Sequence, residues 1–313
     1  PEQQYPDGNF PTCPYPNPEI REALELGLKK CEEVKPDLLL ATDPDCDRVG
    51  IAVPSEDGFV LFSGNEVGAL LLEYICSQRT IKGTMPANPV SVKTIVTTDI
   101  INEIGKAYNV EIIDVLTGFK FIGEQIGFLE DKGEENRYIF GFEESYGYLS
   151  GGYVRDKDAV NASMLICEMA AYYRTQGISL LQARENLYKK YGVYYHTLHC
   201  FTFEGESGMI KMNDIMTNLR NNPPAEIGGL KVVRFDDYKT SISKDLTDNS
   251  EVQLTLPKSN VLVFQLENGN KAIVRPSGTE PKIKTYYTAK APTNEECVAL
   301  EAKLSESFSK MFL

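Results

Sequence analysis

Residues 38–54, LLLATDPDCDRVGIAVP, consist of two apolar runs separated by a segment with three aspartates in alternate positions. Asp43, Asp45 and Asp47 are followed at once by Arg48. The flanking runs are rich in branched apolar residues and predict two β-strands. Because alternate side chains of an extended chain point to one side, the three carboxylates should converge. Like charges so close repel one another unless a cation lies among them, so the stretch indicates a metal site between two strands.

The kind of metal follows from the ligand atoms. An all-oxygen set favours Mg²⁺, which binds few protein carboxylates and keeps positions open for water or phosphate oxygens. An EF-hand is excluded because its sixth position needs Gly and its twelfth Glu, whereas Arg48 and Pro54 stand there. A magnesium phosphatase with Asp43 as nucleophile would explain the first two aspartates but not the third followed by arginine. A solvated acidic turn is the remaining alternative.

Composition limits the classes of protein. The 313 residues are 42% hydrophobic, which is enough for two or three domains. The net charge of −13 argues against a nucleic-acid or anionic-membrane partner, so a bound anion needs a local basic cluster. No apolar stretch approaches the roughly 20 residues of a membrane span. Seven scattered cysteines without a CxxC pair are typical of reduced thiols, which predicts a cytoplasmic protein.

The order of helical and strand-like segments predicts an α/β fold. We expect two mixed α/β sheet domains, the first incomplete, and then a smaller α+β domain with an antiparallel sheet. The expected boundaries are residues 1–86, 87–202 and 203–313. Strands alternating with helices predict mostly parallel sheets in the first two segments. A helix is expected from an N-cap at Asn17, and Asn268-Gly269 predicts a hairpin.

Three further stretches have side chains suited to ligands. Between two strands near the end of the chain, one loop offers a guanidinium, two hydroxyls and backbone N–H groups, which suit a phosphate: Arg275, Ser277, Gly278 and Thr279. An ordinary turn with incidental basic residues is the alternative. In FGFEESYGY, the alternating Glu143 and Ser145 suit sugar hydroxyls, although a surface loop would also explain them. Lys120, in TGFK, follows a strand at the carboxyl end where α/β ligands bind, or is a solvated surface lysine.

Taken in order, these motifs resemble those of the α-D-phosphohexomutases, the phosphoglucomutase and phosphomannomutase superfamily. That family has a D-x-D-x-D-R metal loop, matched by residues 43–48, and an R-x-S-G-T phosphate loop, matched by residues 275–279. Its G-E-x-S sugar loop is matched by residues 143–145, with Phe142 in place of the glycine. TGFKFIG and RDKDA are most similar to the phosphoglucomutase/phosphopentomutase branch, in which an aromatic residue, here Phe119, precedes the lysine. The resemblance extends over the whole chain.

The resemblance implies an isomerase of carbohydrate metabolism that transfers phosphoryl reversibly between C1 and C6 of a hexose. The reaction would pass through a bisphosphorylated sugar, such as glucose 1,6-bisphosphate, and a Mg²⁺-bound phosphoserine. By the resemblance, Asp43, Asp45 and Asp47 ligate Mg²⁺. Arg48 would steady the phosphoryl group or the adjacent substrate, and Lys120 would assist proton transfer. Glu143 and Ser145 would bind the 3- and 4-hydroxyls of the sugar, and the loop of residues 275–279 would hold the non-reacting phosphate.

One part of the family pattern is missing. The nucleophilic serine of the family is followed by His-Asn-Pro in the first domain, and this sequence contains no Ser-His dipeptide. We therefore expect the C-terminal portion of a four-domain mutase, inactive alone and dependent on an N-terminal domain of the same protein. The alternatives are a non-catalytic sugar-phosphate-binding module and the magnesium phosphatase. Among substrates, glucose phosphates are favoured over mannose or pentose phosphates.

Overall fold

The computed structural model describes residues 2–203, 205–278 and 280–312. Contacts divide the chain into two units, Pro1–Tyr191 and Gly192–Leu313. Each unit has a hydrophobic core of its own, built around Val92 and Ile122 in the first and around Phe264 and Phe308 in the second. Mixed α/β sheets followed by an antiparallel sheet confirm the predicted fold class. No helix of the described chain is long and apolar enough to cross a membrane.

The first unit alternates strands and helices. After a 3₁₀ turn at Arg21–Leu24, its helices are α1 (Glu25–Val34), α2 (Gly64–Ile81), α3 (Ile100–Tyr108), α4 (Phe119–Glu130), α5 (Ala159–Thr175) and α6 (Leu180–Tyr191). Its strands are β1 (Leu39–Thr42), β2 (Val49–Ser55), β3 (Gly58–Phe62), β4 (Val90–Thr94), β5 (Glu111–Val115), β6 (Tyr138–Glu143) and β7 (Gly147–Leu149). The predicted helix from Asn17 begins later, because the Asn17 side chain accepts a hydrogen bond from the backbone N–H of Glu19 and forms a turn there.

Two sheets organise this unit. In the four-stranded sheet, ordered β5-β4-β6-β7, the first three strands are parallel and β7 is antiparallel to β6. The other sheet, β1-β2-β3, is entirely antiparallel. The prediction of a mostly parallel sheet is therefore wrong for the first segment. Its physical reason is loop length: residues 43–48 can join antiparallel neighbours but are far too few for a parallel crossover.

The second unit is an antiparallel sheet with two long helices. Its elements are β8 (Val193–Thr202), α7 (Gly205–Asn221), β9 (Glu226–Ile227), β10 (Leu230–Asp237), β11 (Ile242–Asp245), β12 (Glu251–Gln253), β13 (Leu262–Leu266), β14 (Lys271–Pro276), β15 (Lys282–Ala291) and α8 (Asn294–Phe312). The main sheet runs β12-β11-β10-β13-β14-β15-β8, and β9 pairs with β10. The antiparallel pairing of β13 with β14 confirms the hairpin predicted at Asn268-Gly269.

Contacts cross both of the predicted domain boundaries. β8 pairs with β15 along its whole length, so it belongs to the C-terminal sheet, whereas a boundary after residue 202 assigned it to the preceding domain. The predicted boundary after residue 86 would separate α2 from β6, yet Gly68 of α2 packs directly against the Phe142 ring of β6. The division into three domains stays a prediction.

Candidate functional site

The six residues between β1 and β2 form a tight loop closed on its first member. Asp43 is only 4% exposed, and its Oδ1 accepts hydrogen bonds from the backbone N–H groups of Asp47 (3.1 Å) and Arg48 (3.0 Å). The N–H of Cys46 donates to the Asp43 carbonyl, and Cys46 takes the left-handed φ of 58° that closes the turn. These bonds gather the loop, which we call the metal loop (residues 43–48), around the Asp43 carboxylate.

The three aspartates converge as predicted. Asp43, Asp45 and Asp47 each offer an oxygen, and these oxygens lie within 4.8 Å of one another. Asp43 is buried, Asp47 is half-buried and Asp45 is exposed, so the cluster opens to solvent at Asp45. Three carboxylates without a nitrogen or sulphur ligand fit a hard divalent cation such as Mg²⁺.

Two cations from the chain already lie against this cluster. Arg48 Nε donates to Asp43 Oδ2 at 2.6 Å, and Lys157 Nζ lies 2.8 Å from Asp47 Oδ2. Burial raises the pKa of Asp43, but hydrogen bonds from Arg48 outweigh burial and hold that pKa below its ordinary value. At Asp47 burial prevails over Lys157, and the pKa is raised. Asp43 is therefore firmly ionised, as a metal ligand must be.

Backbone hydrogen bonds join the metal loop to a second loop almost a hundred residues later. The N–H of Val49 donates to the carbonyl of Tyr146 at 3.1 Å, and a β-bridge pairs Arg48 with Gly147. We call residues 143–147 the hydroxyl loop, after its predicted ligand. From a third segment, the N–H of Ala159 at the start of α5 donates to the Cys46 carbonyl. The two predicted sites are thus immediate neighbours.

The hydroxyl loop begins with a buried carboxylate. Glu143, the last residue of β6, is 8% exposed, and its Oε1 accepts a hydrogen bond from the N–H of Gly118 at 2.8 Å. Burial raises the pKa of Glu143 above its ordinary value. Gly118 has a φ of 120°, which only glycine adopts without strain. Ser145 follows in the turn between β6 and β7, half-buried.

A second carboxylate, Glu144, follows directly in the sequence. Burial raises the pKa of Glu144 to about 7. Its Oε2 accepts hydrogen bonds from the hydroxyls of Thr94 (3.3 Å) and Thr97 (3.4 Å), at the carboxyl end of β4. The sequence did not indicate Glu144 as a site residue, because nothing in the residues around it shows that its carboxylate is buried.

The lysine that lies against the metal loop is Lys157, in RDKDA, and not the predicted Lys120. Lys120 is exposed in the first turn of α4, with Nζ 4.9 Å from the Phe121 ring centroid. Lys157 reaches Asp47 because Gly147 has no side chain: a Cβ there would lie 2.1 Å from Lys157 Cδ. Arg155, the other nearby cation, instead bonds Glu130 at 2.5 Å. Sequence spacing offered no signal for this difference.

The predicted phosphate loop joins β14 to β15 in the second unit. Arg275 stands opposite Lys284 in the register of the two strands. The Ser277 N–H donates to the Lys282 carbonyl at 2.7 Å, and Lys282 Nζ pairs with Glu280 at 3.0 Å. Gly278 is exposed, and Thr279 lies outside the described residues. Arg275, Ser277 and Gly278 therefore belong to one short connection between two paired strands, as predicted.

Comparisons with known proteins agree with this geometry. The family model described as phosphoglucomutase/phosphomannomutase, alpha/beta/alpha domain II, matches residues 1–57. The model of alpha/beta/alpha domain III of the same family matches residues 63–191. Together the matches include the metal loop and the hydroxyl loop, and they extend over more than half of the chain.

Relatives and solved structures extend the similarity into the second unit. Phosphoglucomutases of Staphylococcus aureus strains RF122 and USA300 are 41% identical over 292 residues, which is 93% of this chain and 51% of each relative. The chain therefore spans about half the length of these relatives. Parafusin, a phosphoglucomutase of Paramecium, has a TM-score of 0.65 at 18% identity, covering 95% of this chain and 50% of that one. A family protein of Burkholderia thailandensis has a TM-score of 0.59 at 14% identity, covering 97% and 53%. These two structures establish the fold.

Proposed function

We propose that this chain, which belongs to the phosphoglucomutase/phosphomannomutase family, supplies the metal, sugar and phosphate sites of a phosphoglucomutase-like phosphohexomutase. The whole enzyme would transfer phosphoryl reversibly between C1 and C6 of glucose phosphate through glucose 1,6-bisphosphate. The observation that carries the proposal is the convergence of Asp43, Asp45 and Asp47 within 4.8 Å, directly beside the hydroxyl loop.

The proposal assigns Mg²⁺ to the three aspartates of the metal loop. A bound magnesium ion would offset negative charge on the transferring phosphoryl group. Arg48 is held at Asp43 by a 2.6 Å hydrogen bond, and its planar guanidinium has further N–H donors for phosphoryl oxygens. Lys157, at Asp47, adds a second cation where the metal loop meets the hydroxyl loop.

The sugar and its second phosphate are assigned to the other two loops. Glu143 and Ser145 would bind neighbouring hydroxyls of the sugar. Because burial raises the pKa of Glu143, a hydrogen bond from a sugar hydroxyl would relieve the cost of its buried charge. Arg275, Ser277 and Gly278, with Thr279, would hold the non-reacting phosphate. Lys120 remains the proposed aid to proton transfer, two residues after the Gly118 N–H that binds Glu143.

The proposal places the phosphoserine outside these residues, because the 313-residue sequence contains no Ser-His dipeptide. Phosphoryl transfer then needs an N-terminal domain of the same protein, and mutase activity is proposed for the whole protein only. The match to half the length of the Staphylococcus aureus phosphoglucomutases supports this division. Glucose phosphate is preferred over other sugar phosphates because those relatives are phosphoglucomutases.

The phosphatase alternative is disfavoured by the surroundings of its nucleophile. Asp43 is 4% exposed, and its two oxygens accept three hydrogen bonds, two from backbone N–H groups and one from Arg48. A carboxylate so bonded is neither accessible to a phosphorus atom nor strongly nucleophilic. The non-catalytic alternative differs only in whether the whole protein turns over.

The deciding experiment is calorimetric titration of the chain with glucose 1,6-bisphosphate in Mg²⁺ buffer. Arg275→Ala should raise Kd at least tenfold, since a guanidinium–phosphate hydrogen bond contributes about 1.5–3 kcal/mol. Lys258→Ala, which removes one positive charge from an exposed loop of the same unit, should leave Kd unchanged. Equal affinity of the wild type and Arg275→Ala would exclude the phosphate assignment.

A second measurement separates an enzyme from a binding module. The full-length protein should convert glucose 1-phosphate to glucose 6-phosphate, whereas the 313-residue chain should not. Bisphosphate binding by the chain without turnover by the full-length protein would favour the non-catalytic alternative.

A further inference from the structure

The turn at residues 17–19 packs against Gly50 of β2, two residues after the end of the metal loop. Pro18 is buried, and a Cβ on Gly50 would lie 2.9 Å from the Pro18 carbonyl oxygen, so only glycine permits this approach. The Asn17 side chain accepts a hydrogen bond from the Glu19 N–H at 3.0 Å, which sets the conformation of the turn. Residues 17–19 are thus fixed beside Arg48, although about thirty residues separate them in sequence.

Arg48 is held from two sides. Its Nε donates to Asp43 Oδ2 at 2.6 Å. On the other side, Nη1 donates to Glu19 Oε1 at 3.0 Å and to Asn17 Oδ1 at 3.4 Å. No hydrogen bond from Nη2 is found within the described part of the chain. The Arg48 side chain is 28% exposed, so a ligand can reach it from solvent.

We infer that Glu19 is a positioning residue for Arg48, and that it keeps the Nη2 donors available for a phosphoryl oxygen of the sugar phosphate. A guanidinium that is held only at Nε can still change the orientation of its plane. A second carboxylate at Nη1 fixes that orientation. Glu19 acts through Arg48 and not on the substrate. The inference rests on the proposed function, in which Arg48 binds the phosphoryl group.

The first test measures affinity for glucose 1,6-bisphosphate in Mg²⁺ buffer. Glu19→Ala should raise Kd roughly three- to tenfold, the loss expected from one net hydrogen bond. Glu19→Gln keeps an acceptor oxygen and should recover part of the affinity. Glu22→Ala, an equal charge change at an exposed position in the 3₁₀ turn, should have no effect. An unchanged or tighter Kd in Glu19→Ala would overturn the inference.

A double-mutant cycle identifies Arg48 as the route of the effect. In an Arg48→Gln background, Glu19→Ala should change Kd by less than twofold, because the group that it positions is gone. Equal effects of Glu19→Ala in both backgrounds would mean that Glu19 acts elsewhere, and would refute the inference.

The last measurement does not depend on binding. In NMR spectra, the Nε–H resonance of Arg48 should shift in Glu19→Ala, and its relaxation should show a more mobile side chain. Neither change is expected in Glu22→Ala. If the wild-type chain fails to bind the bisphosphate, the proposed function fails, and this resonance still decides the positioning. An Arg48 signal that is identical in wild type and Glu19→Ala would reject it.

Discussion

Two aspartates of the metal loop carry the same charge in different surroundings. Asp43 is buried and receives hydrogen bonds from the loop backbone and Arg48, so its carboxylate is part of the loop's structure. Asp45 is exposed at the open side of the cluster. Removal of Asp43 would leave the partly buried Arg48 without its closest partner, which is a costly state for a charge. Under the proposed function, loss of Asp45 would remove a metal ligand and little else.

Asp45→Asn should therefore weaken Mg²⁺ binding at least tenfold while the free energy of unfolding changes by less than about 0.5 kcal/mol, as is usual for exposed sites. Calorimetric titration with MgCl₂ and denaturant unfolding measure the two quantities. Asp57→Asn, an equal charge change in the β2–β3 turn, should leave Mg²⁺ affinity intact. Unaltered affinity in Asp45→Asn would show that the cluster is not the metal site.

Glu144 predicts a pH dependence of stability. Its pKa rises from 4.5 to about 7 on folding, so the folded state binds the proton more tightly than the unfolded state. This contribution to stability is fully present below pH 4.5 and is lost as the pH rises through 7. Glu144→Gln should thus be more stabilising at pH 8 than at pH 5, by about 1–3 kcal/mol.

Urea unfolding of Glu144→Gln at the two pH values measures this difference. Glu124→Gln, at an exposed position of α4, serves as the control and should show the same small effect at both. A Glu144→Gln effect that is independent of pH would contradict the raised pKa.

Which site residues the sequence could predict depended on the range of their contacts. Asp43, Asp45 and Asp47 converge through local strand geometry, so their spacing alone was enough. The place of Lys157 depends on a contact across 110 residues and on the missing side chain of Gly147, and neither leaves a local pattern.

At the scale of elements, the packing of α2 against β6 depends on one glycine. A Cβ on Gly68 would lie 2.0 Å from the ring of Phe142, which is fully buried and cannot turn aside. Phe142 stacks in turn on Tyr148 of β7, with ring centroids 6.2 Å apart. The large residue that replaces the family's glycine before Glu143 is therefore accommodated by the absence of a side chain on α2.

Gly68→Ala should destabilise the first unit by about 1–3 kcal/mol. The overpacking against Phe142 destabilises the fold more than the higher helix propensity of alanine stabilises it. Gly127→Ala is the matched control, since a Cβ on that α4 glycine meets nothing within 4 Å, and it should be neutral or stabilising. Thermal unfolding compares the two variants. Equal Tm values for them would mean that β6 moves away without cost.

Element types were predictable, whereas their pairing was less so. The alternation of strands and helices predicted a mostly parallel sheet in the second segment, and the parallel pairing of β4 with β5 across α3 confirms it. The antiparallel sense of β1 and β2 followed from the six-residue loop between them, a local constraint that the expectation of alternating α/β elements obscured. β8 pairs with a strand some ninety residues later, and such long-range pairing has no signal in local sequence.

At the scale of the whole molecule, each unit has its own core. In the second unit, Phe308 of α8 is fully buried and packs against Phe264, with ring centroids 5.8 Å apart. Phe308→Leu leaves a cavity there, so hydrogen exchange of amides in β13 and β14 should accelerate, while exchange in β4 and β6 stays unchanged. Gly68→Ala should show the reverse pattern. Faster exchange in both units of either variant would mean that the chain unfolds as one cooperative body.

The family was predictable from the order of the motifs rather than from any one of them. Each loop alone had a plausible structural explanation, and only the sequence of metal loop, hydroxyl loop and phosphate loop indicated the family that the domain models show. The adjacency of the first two loops could not be predicted, because it depends on the hydrogen bond between Val49 and Tyr146.

That adjacency has a consequence for how a mutase would treat its two half-reactions. The hydrogen bond from Val49 to Tyr146 and the β-bridge between Arg48 and Gly147 tie the metal loop and the hydroxyl loop into one body. Under the proposed function, the distance between the three aspartates and Glu143 would therefore stay constant while C1 and C6 of the sugar alternate at the metal loop. The sugar itself would then rotate end over end, and its hydroxyls would meet the same Glu143 and Ser145 in both orientations.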